Sequence, residues 1–95
     1  MNVRIDEEKV KRIADYYGLT NQLRQLAEEC SELSVESLHY TRERGATARI
    51  SEELVDVLIM IQQIIYLLRN DTEKLEKYAD FKLDRQLSRM KREQE

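Results

Sequence analysis

The chain has no proline and no tryptophan, only two glycines, and one each of cysteine, histidine and phenylalanine. With Ala, Leu, Glu, Lys, Arg and Gln abundant, this argues for helices and against sandwiches or Rossmann folds. One cysteine, Cys30, excludes an intrachain disulfide and a cysteine-rich zinc site. One histidine, His39, excludes a multi-histidine metal site within a single chain. No apolar run is long enough to cross a bilayer, because Asp56, Gln62 and Gln63 interrupt the longest stretch, Leu54 to Leu68. Met1-Asn2-Val3-Arg4 opens no apolar targeting segment, so a cytoplasmic location is expected. There is also little excess of one charge. Sixteen Lys and Arg against nineteen Asp and Glu leave a net charge of −3, which does not suit binding of a nucleic acid polymer by bulk charge.

What remains is 41% hydrophobic and 37% charged in 95 residues, the balance of one small all-α domain covering 1–95. So short a chain has limited core of its own, and burial in an oligomer is expected. Four helices are legible. The first spans Asp6 to Tyr17, capped by Asp6 and ended by Gly18. The second starts near Thr20 or Asn21, with an apolar stripe at Leu19, Leu23, Leu26, Cys30 and Leu33. It fades from His39 towards a break at Gly45. The third starts between Thr47 and Ser51 and is apolar nearly all round through Leu68, which predicts a central or subunit-sharing helix. The fourth follows Asn70-Asp71-Thr72-Glu73, with Asn70 and Glu73 at capping-box spacing, and frays after Met90.

Acidic residues on these apolar helices carry the chemical signal. On a wheel of about 100° per residue, Glu29, Glu32 and Glu36 form one edge beside the second helix's apolar stripe, and Glu28 points away. Glu53 and Asp56 share a flank of the third helix. Solvated glutamates in i,i+3 and i,i+4 pairs are ordinary on helices. Asp56 is not ordinary, since it interrupts a run of aliphatic residues and costs several kcal/mol if buried unpaired. Two helices that each give two carboxylates at i and i+3 can surround Mg²⁺, or Mn²⁺, with hard oxygen ligands, and such a site suits nucleotide phosphate chemistry.

Glu28-Glu29-Cys30-Ser31-Glu32, followed after twenty residues by Glu53-Leu54-Val55-Asp56, resembles the EExxE…ExxD signature of MazG-like nucleoside triphosphate pyrophosphohydrolases. The likeness covers about Thr20 to Leu68, with metal-binding helices at about 20–44 and 48–69, and extends more loosely through the fourth helix. It implies a four-helix MazG-like bundle, oligomeric through the apolar third helix as a homodimer or homotetramer. It also implies Mg²⁺-dependent cleavage of an NTP or dNTP to the monophosphate and pyrophosphate. The family's metal and catalytic carboxylates carry over to Glu29, Glu32, Glu53 and Asp56. Glu36 is a further carboxylate on the same edge. Lys82, Arg85 and Arg89 share one face of the fourth helix, in a segment, Phe81 to Arg89, that resembles the family's Lys/Arg-containing fourth helix, which helps hold phosphates; Tyr66, Asn70 and Tyr78 are candidates to touch base or sugar.

Two other readings use the same residues. A non-catalytic helical adaptor would use the third helix as its dimer interface, but leaves Asp56 unexplained. Glu36-Ser-Leu-His39 has the ExxH spacing of di-iron bundles, which one histidine per chain supports only in a dimer. A tight hairpin turning at Gly45 would set Glu53 beside Ser37 rather than Glu32. Regular structure is therefore expected to loosen between His39 and Arg49.

Overall fold

A computed structural model describes residues 3–43 and 47–95, the side chains of Thr47 and Ala48 excepted. The described residues form four helices: α1 (Glu7–Tyr17), α2 (Leu19–Arg42), α3 (Thr47–Leu67) and α4 (Thr72–Gln94). The Asp6 carboxylate accepts from the Lys9 amide at 3.0 Å and starts α1. A single residue, Gly18 at φ 83°, separates α1 from α2. This backbone favours glycine and lets the chain reverse without lengthening the turn. Helix α2 therefore begins before Thr20 and Asn21, and Asn21 donates instead to the Tyr17 carbonyl at 2.9 Å. Asp71 rather than Asn70 caps α4, accepting from the Glu73 amide at 3.0 Å, and α4 continues past Met90 to Gln94.

Helix α2 stays regular through Arg42 and α3 is helical from Thr47, so the loosening expected between His39 and Arg49 is confined, among the described residues, to the extended Glu43; Gly45 lies outside the described residues. The staggering that the carboxylates require comes from the register instead. Gln22 faces Gln63 and Glu36 faces Arg49, so each step back along α2 matches a step forward along α3. The midpoint of these pairs falls between Arg42 and Glu43, ahead of Gly45, and this offset brings Glu32 rather than Ser37 level with Glu53.

Helices α2 and α3 form the main antiparallel pair, and α1 packs chiefly on α3. The buried apolar core is small: Val10 and Ala14 from α1, and Val57, Met60 and Ile64 from α3. No apolar residue of α2 is fully buried; Leu19, Leu26 and Leu33 are half-buried. The buried residues of α2 are Gln22 and Glu36, and its expected apolar stripe has Leu23 and Cys30 exposed. The inward face of α2 is thus turned by about 80° from the hydrophobic stripe, onto Gln22, Glu29 and Glu36.

The centre of this polar seam is an amide pair. Gln22 Nε2 donates to Gln63 Oε1 at 2.7 Å, and Gln63, 2% exposed, turns its own amide nitrogen to the Met60 sulfur at 3.6 Å. Removing one partner strands the other's polar atoms in the core. We predict that Gln63→Leu costs about 1–3 kcal/mol in chemical denaturation and that Gln22→Leu/Gln63→Leu recovers part of the loss.

Helix α4 packs on none of the other three helices. It leaves Phe81, Leu83 and Leu87 exposed and only Leu75 half-buried. The radius of gyration is accordingly 16.2 Å, against ~13 Å for a compact chain of this length.

Candidate metal centre

Every seventh residue of α2 from Gln22, and of α3 from Arg49, points into the seam between them. Glu29 and Asp56 occupy its middle rung, about two helical turns beyond the amide pair. One carboxylate oxygen each from Glu29, Glu53 and Asp56 lies within 4.8 Å of the others. Oxygens bound to one Mg²⁺ stand up to about 4.2 Å apart, so small side-chain rotations close this set around an ion.

The hydrogen bonding around the cluster is unbalanced. Gln25 Nε2 donates to Glu29 Oε1 at 2.9 Å and fixes that side chain. Glu29 Oε2 and Glu53 Oε2 are buried and have no donor. An ionised oxygen removed from water without a donor is costly, and a hard cation satisfies it. Oxygen-only donors of this kind suit Mg²⁺ or Mn²⁺ rather than a soft metal.

The electrostatics agree with the distances. The Glu29 charge, and after it that of Glu53, pushes the Glu32 carboxyl above the ordinary glutamate range, although Glu32 is exposed. Burial raises the partly exposed Asp56 carboxyl, with smaller contributions from the charges of Glu29 and Glu52. All four carboxylates singled out from the sequence therefore occupy one neighbourhood. Glu28 faces away with Tyr17, Asn21 and Arg24.

Glu36 lies one turn further towards the α2–α3 connection and is 8% exposed. Its Oε1 is 3.5 Å from Arg49, and its Oε2 is 3.6 Å from His39 Nδ1 and buried without a hydrogen bond. His39 also meets Glu43 at 3.2 Å and stands apart from the Glu29, Glu53 and Asp56 group, so the ExxH pair does not supply a ligand there.

The basic residues of α4 are not brought to this cluster within the chain, because α4 packs on neither α2 nor α3. Arg85 instead stacks over Phe81 at 5.8 Å. Tyr66 is committed elsewhere: its hydroxyl donates to Asp15 at 2.8 Å, and Lys11 and Arg69 lie over its ring. Asn70 lines the same hollow as Tyr66, and Tyr78 sits alone on α4 beside Lys74.

Sequence reading passed over Gln22, Gln25, Arg49 and Gln63. For Gln22, Arg49 and Gln63 the signal was present as two polar rows at seven-residue spacing, 22, 29, 36 and 49, 56, 63, which mark facing stripes on a helix pair; Gln25 stands outside both rows. Comparison with protein-family models, with curated proteins and with solved structures finds no match.

Proposed function

We propose that the chain is a divalent-metal-dependent nucleoside triphosphate pyrophosphohydrolase, cleaving NTP or dNTP to the monophosphate and pyrophosphate. The observation that carries this reading is the convergence of Glu29, Glu53 and Asp56 oxygens within 4.8 Å, with buried carboxylate oxygens that have no donor. The signature-like spacing of Glu28–Glu32 and Glu53–Asp56 supports the same assignment.

Glu29, Glu32, Glu53 and Asp56 would hold Mg²⁺. When bound, the ion supplies charge neutralisation for the triphosphate and polarises the phosphorus under attack. The protein's own work is positional. Gln25 keeps Glu29 in its rotamer, and the rigid α2–α3 seam keeps the two carboxylate pairs at fixed separation. Water attacks the α-phosphorus, the bond to the bridging α–β oxygen breaks, and the water's proton passes to a carboxylate of the cluster.

The working unit in this reading is an oligomer. Leu54, Leu58, Ile61 and Ile65 recur at spacings of 4, 3 and 4 along α3, with Leu68 just past its end, and Leu54, Ile61 and Leu68 are exposed. This spacing suits packing against a second copy, and the flanking Val55 and Gln62 carry no charge that would oppose one. The chain exposes 8131 Å², whereas a compact protein of 11.4 kDa exposes about 5,800 Å². The surplus matches the area buried in an obligate homodimer. Wild-type protein should elute as a dimer or larger species, and Ile61→Glu should shift it to monomer in light scattering while helicity persists.

The functional reading is tested by a pyrophosphate-release screen over canonical and modified NTPs and dNTPs with Mg²⁺. Turnover of at least one nucleotide is expected. Failure of all of them leaves an assembly module built on these apolar residues of α3.

A further inference from the structure

The cluster described above leaves one adjoining feature unexplained. Between α2 and α3, on the side nearer their connection, an open cleft of about 470 Å³ is lined by Ser31, Glu32, Val35, Glu36, Arg49 and Glu53. Glu32 and Glu53 belong to the carboxylate cluster, so the cleft adjoins it directly. Arg49 is the basic side chain among these lining residues.

Arg49 is well placed to meet an anion. Its side chain is 70% exposed, yet its guanidinium stands 3.5 Å from the buried Glu36 carboxylate. At that distance the ion pair is loose, and donors of the guanidinium fork remain for another oxygen. A planar fork of this kind recognises phosphate with two parallel hydrogen bonds. The cleft has no aromatic ring among its lining residues and only Val35 as an apolar side chain, so it offers nothing on which a nucleobase stacks. Its chemistry fits the polyphosphate end of a nucleotide.

Resting on the pyrophosphohydrolase reading, we propose that Arg49 receives the β- and γ-phosphates of the substrate in this cleft, and that Glu36 is the positioning residue that holds it there. Glu36 orients the guanidinium across the cleft beside Glu32 and Glu53. The leaving pyrophosphate then departs past the Arg49 guanidinium, the cationic group among the cleft's lining residues.

Steady-state kinetics of Arg49→Ala and Arg49→Lys with the best nucleotide, beside Mn²⁺ titration of each protein, test this. For Arg49→Ala, KM should rise about ten- to hundredfold, with kcat within about threefold and Mn²⁺ affinity unchanged. Inhibition by added pyrophosphate should weaken by a similar factor, whereas inhibition by the nucleoside monophosphate should not. Arg49→Lys should recover part of the loss, because it restores the charge without the fork. Glu36→Gln should raise KM in the same direction by a smaller factor. An unchanged KM and unchanged pyrophosphate inhibition in an active, Mn²⁺-binding Arg49→Ala protein overturns the assignment of Arg49 alone. Wild-type protein that binds no Mn²⁺ and turns over no nucleotide overturns the functional reading and the Arg49 assignment together.

Discussion

Glu32→Gln and Asp56→Asn should each lower pyrophosphate release by at least about a hundredfold without loss of helical circular dichroism. The expectation follows from where the two side chains sit. Asp56 gives one of the three oxygens that converge within 4.8 Å, and Glu32 feels the Glu29 and Glu53 charges strongly enough to have its carboxyl pushed up. Neutral amides of the same shape remove ionic ligands while leaving packing intact. The same repulsion makes the variants informative about folding. Without metal, removing the charge at Glu32 relieves a like-charge contact, so Glu32→Gln should melt no lower than wild type at neutral pH. A variant that loses activity because it unfolds would show the opposite, a lower melting temperature and reduced helicity.

Magnesium should stabilise the protein in a pH-dependent way. In the metal-free state Glu32 and Asp56 have carboxyls raised above their ordinary values, Glu32 by the charges of Glu29 and Glu53, and Asp56 chiefly by burial. The folded state therefore binds protons more tightly at these groups than the unfolded state. Their effect on stability falls as pH rises from the ordinary carboxylate values through the raised ones, and it is constant above that window. A divalent cation binds the ionised form and reverses the penalty. At free Mg²⁺ a hundredfold above its dissociation constant, the linkage amounts to about 2.7 kcal/mol, or roughly 10–20 °C in Tm for a domain of this size. The shift should shrink as pH is lowered through the carboxylate window. Melting curves of wild type and Glu32→Gln, with and without Mg²⁺, isolate the effect from other titrating groups. A Mg²⁺ shift equal in both proteins would show that Glu32 takes no part in the site.

Much of the helical framework was legible because it depends on local signals. Asp6 and Gly18 bracket α1, the absence of proline leaves α2 and α3 unbroken, and the carboxylate spacings place Glu29, Glu32, Glu53 and Asp56 on neighbouring faces. The orientation of α2 was not legible from hydrophobicity. Its apolar stripe points outward at Leu23 and Cys30, while Gln22, Glu29 and Glu36 face α3. Hydrophobic periodicity finds the face a helix must cover, but it does not say whether the covering partner is in the same chain. The exposed apolar residues of α3 and the unpartnered α4 show the same ambiguity. Glu36 illustrates it at one residue, since an exposed glutamate is the usual expectation on a helix and this one is 8% exposed beside Arg49. Arg49 could be placed only once the helix register was known, because the residue it meets lies thirteen positions away in sequence.

The central claim is that four carboxylates from α2 and α3 hold one divalent cation. Titration of Mn²⁺ into the metal-free protein at neutral pH, followed by the loss of the free-ion paramagnetic resonance signal, addresses it directly. Saturable binding of at least one Mn²⁺ per chain is predicted, competed by Mg²⁺ and lost in Glu53→Gln/Asp56→Asn. A free-ion signal undiminished by millimolar wild-type protein would contradict it.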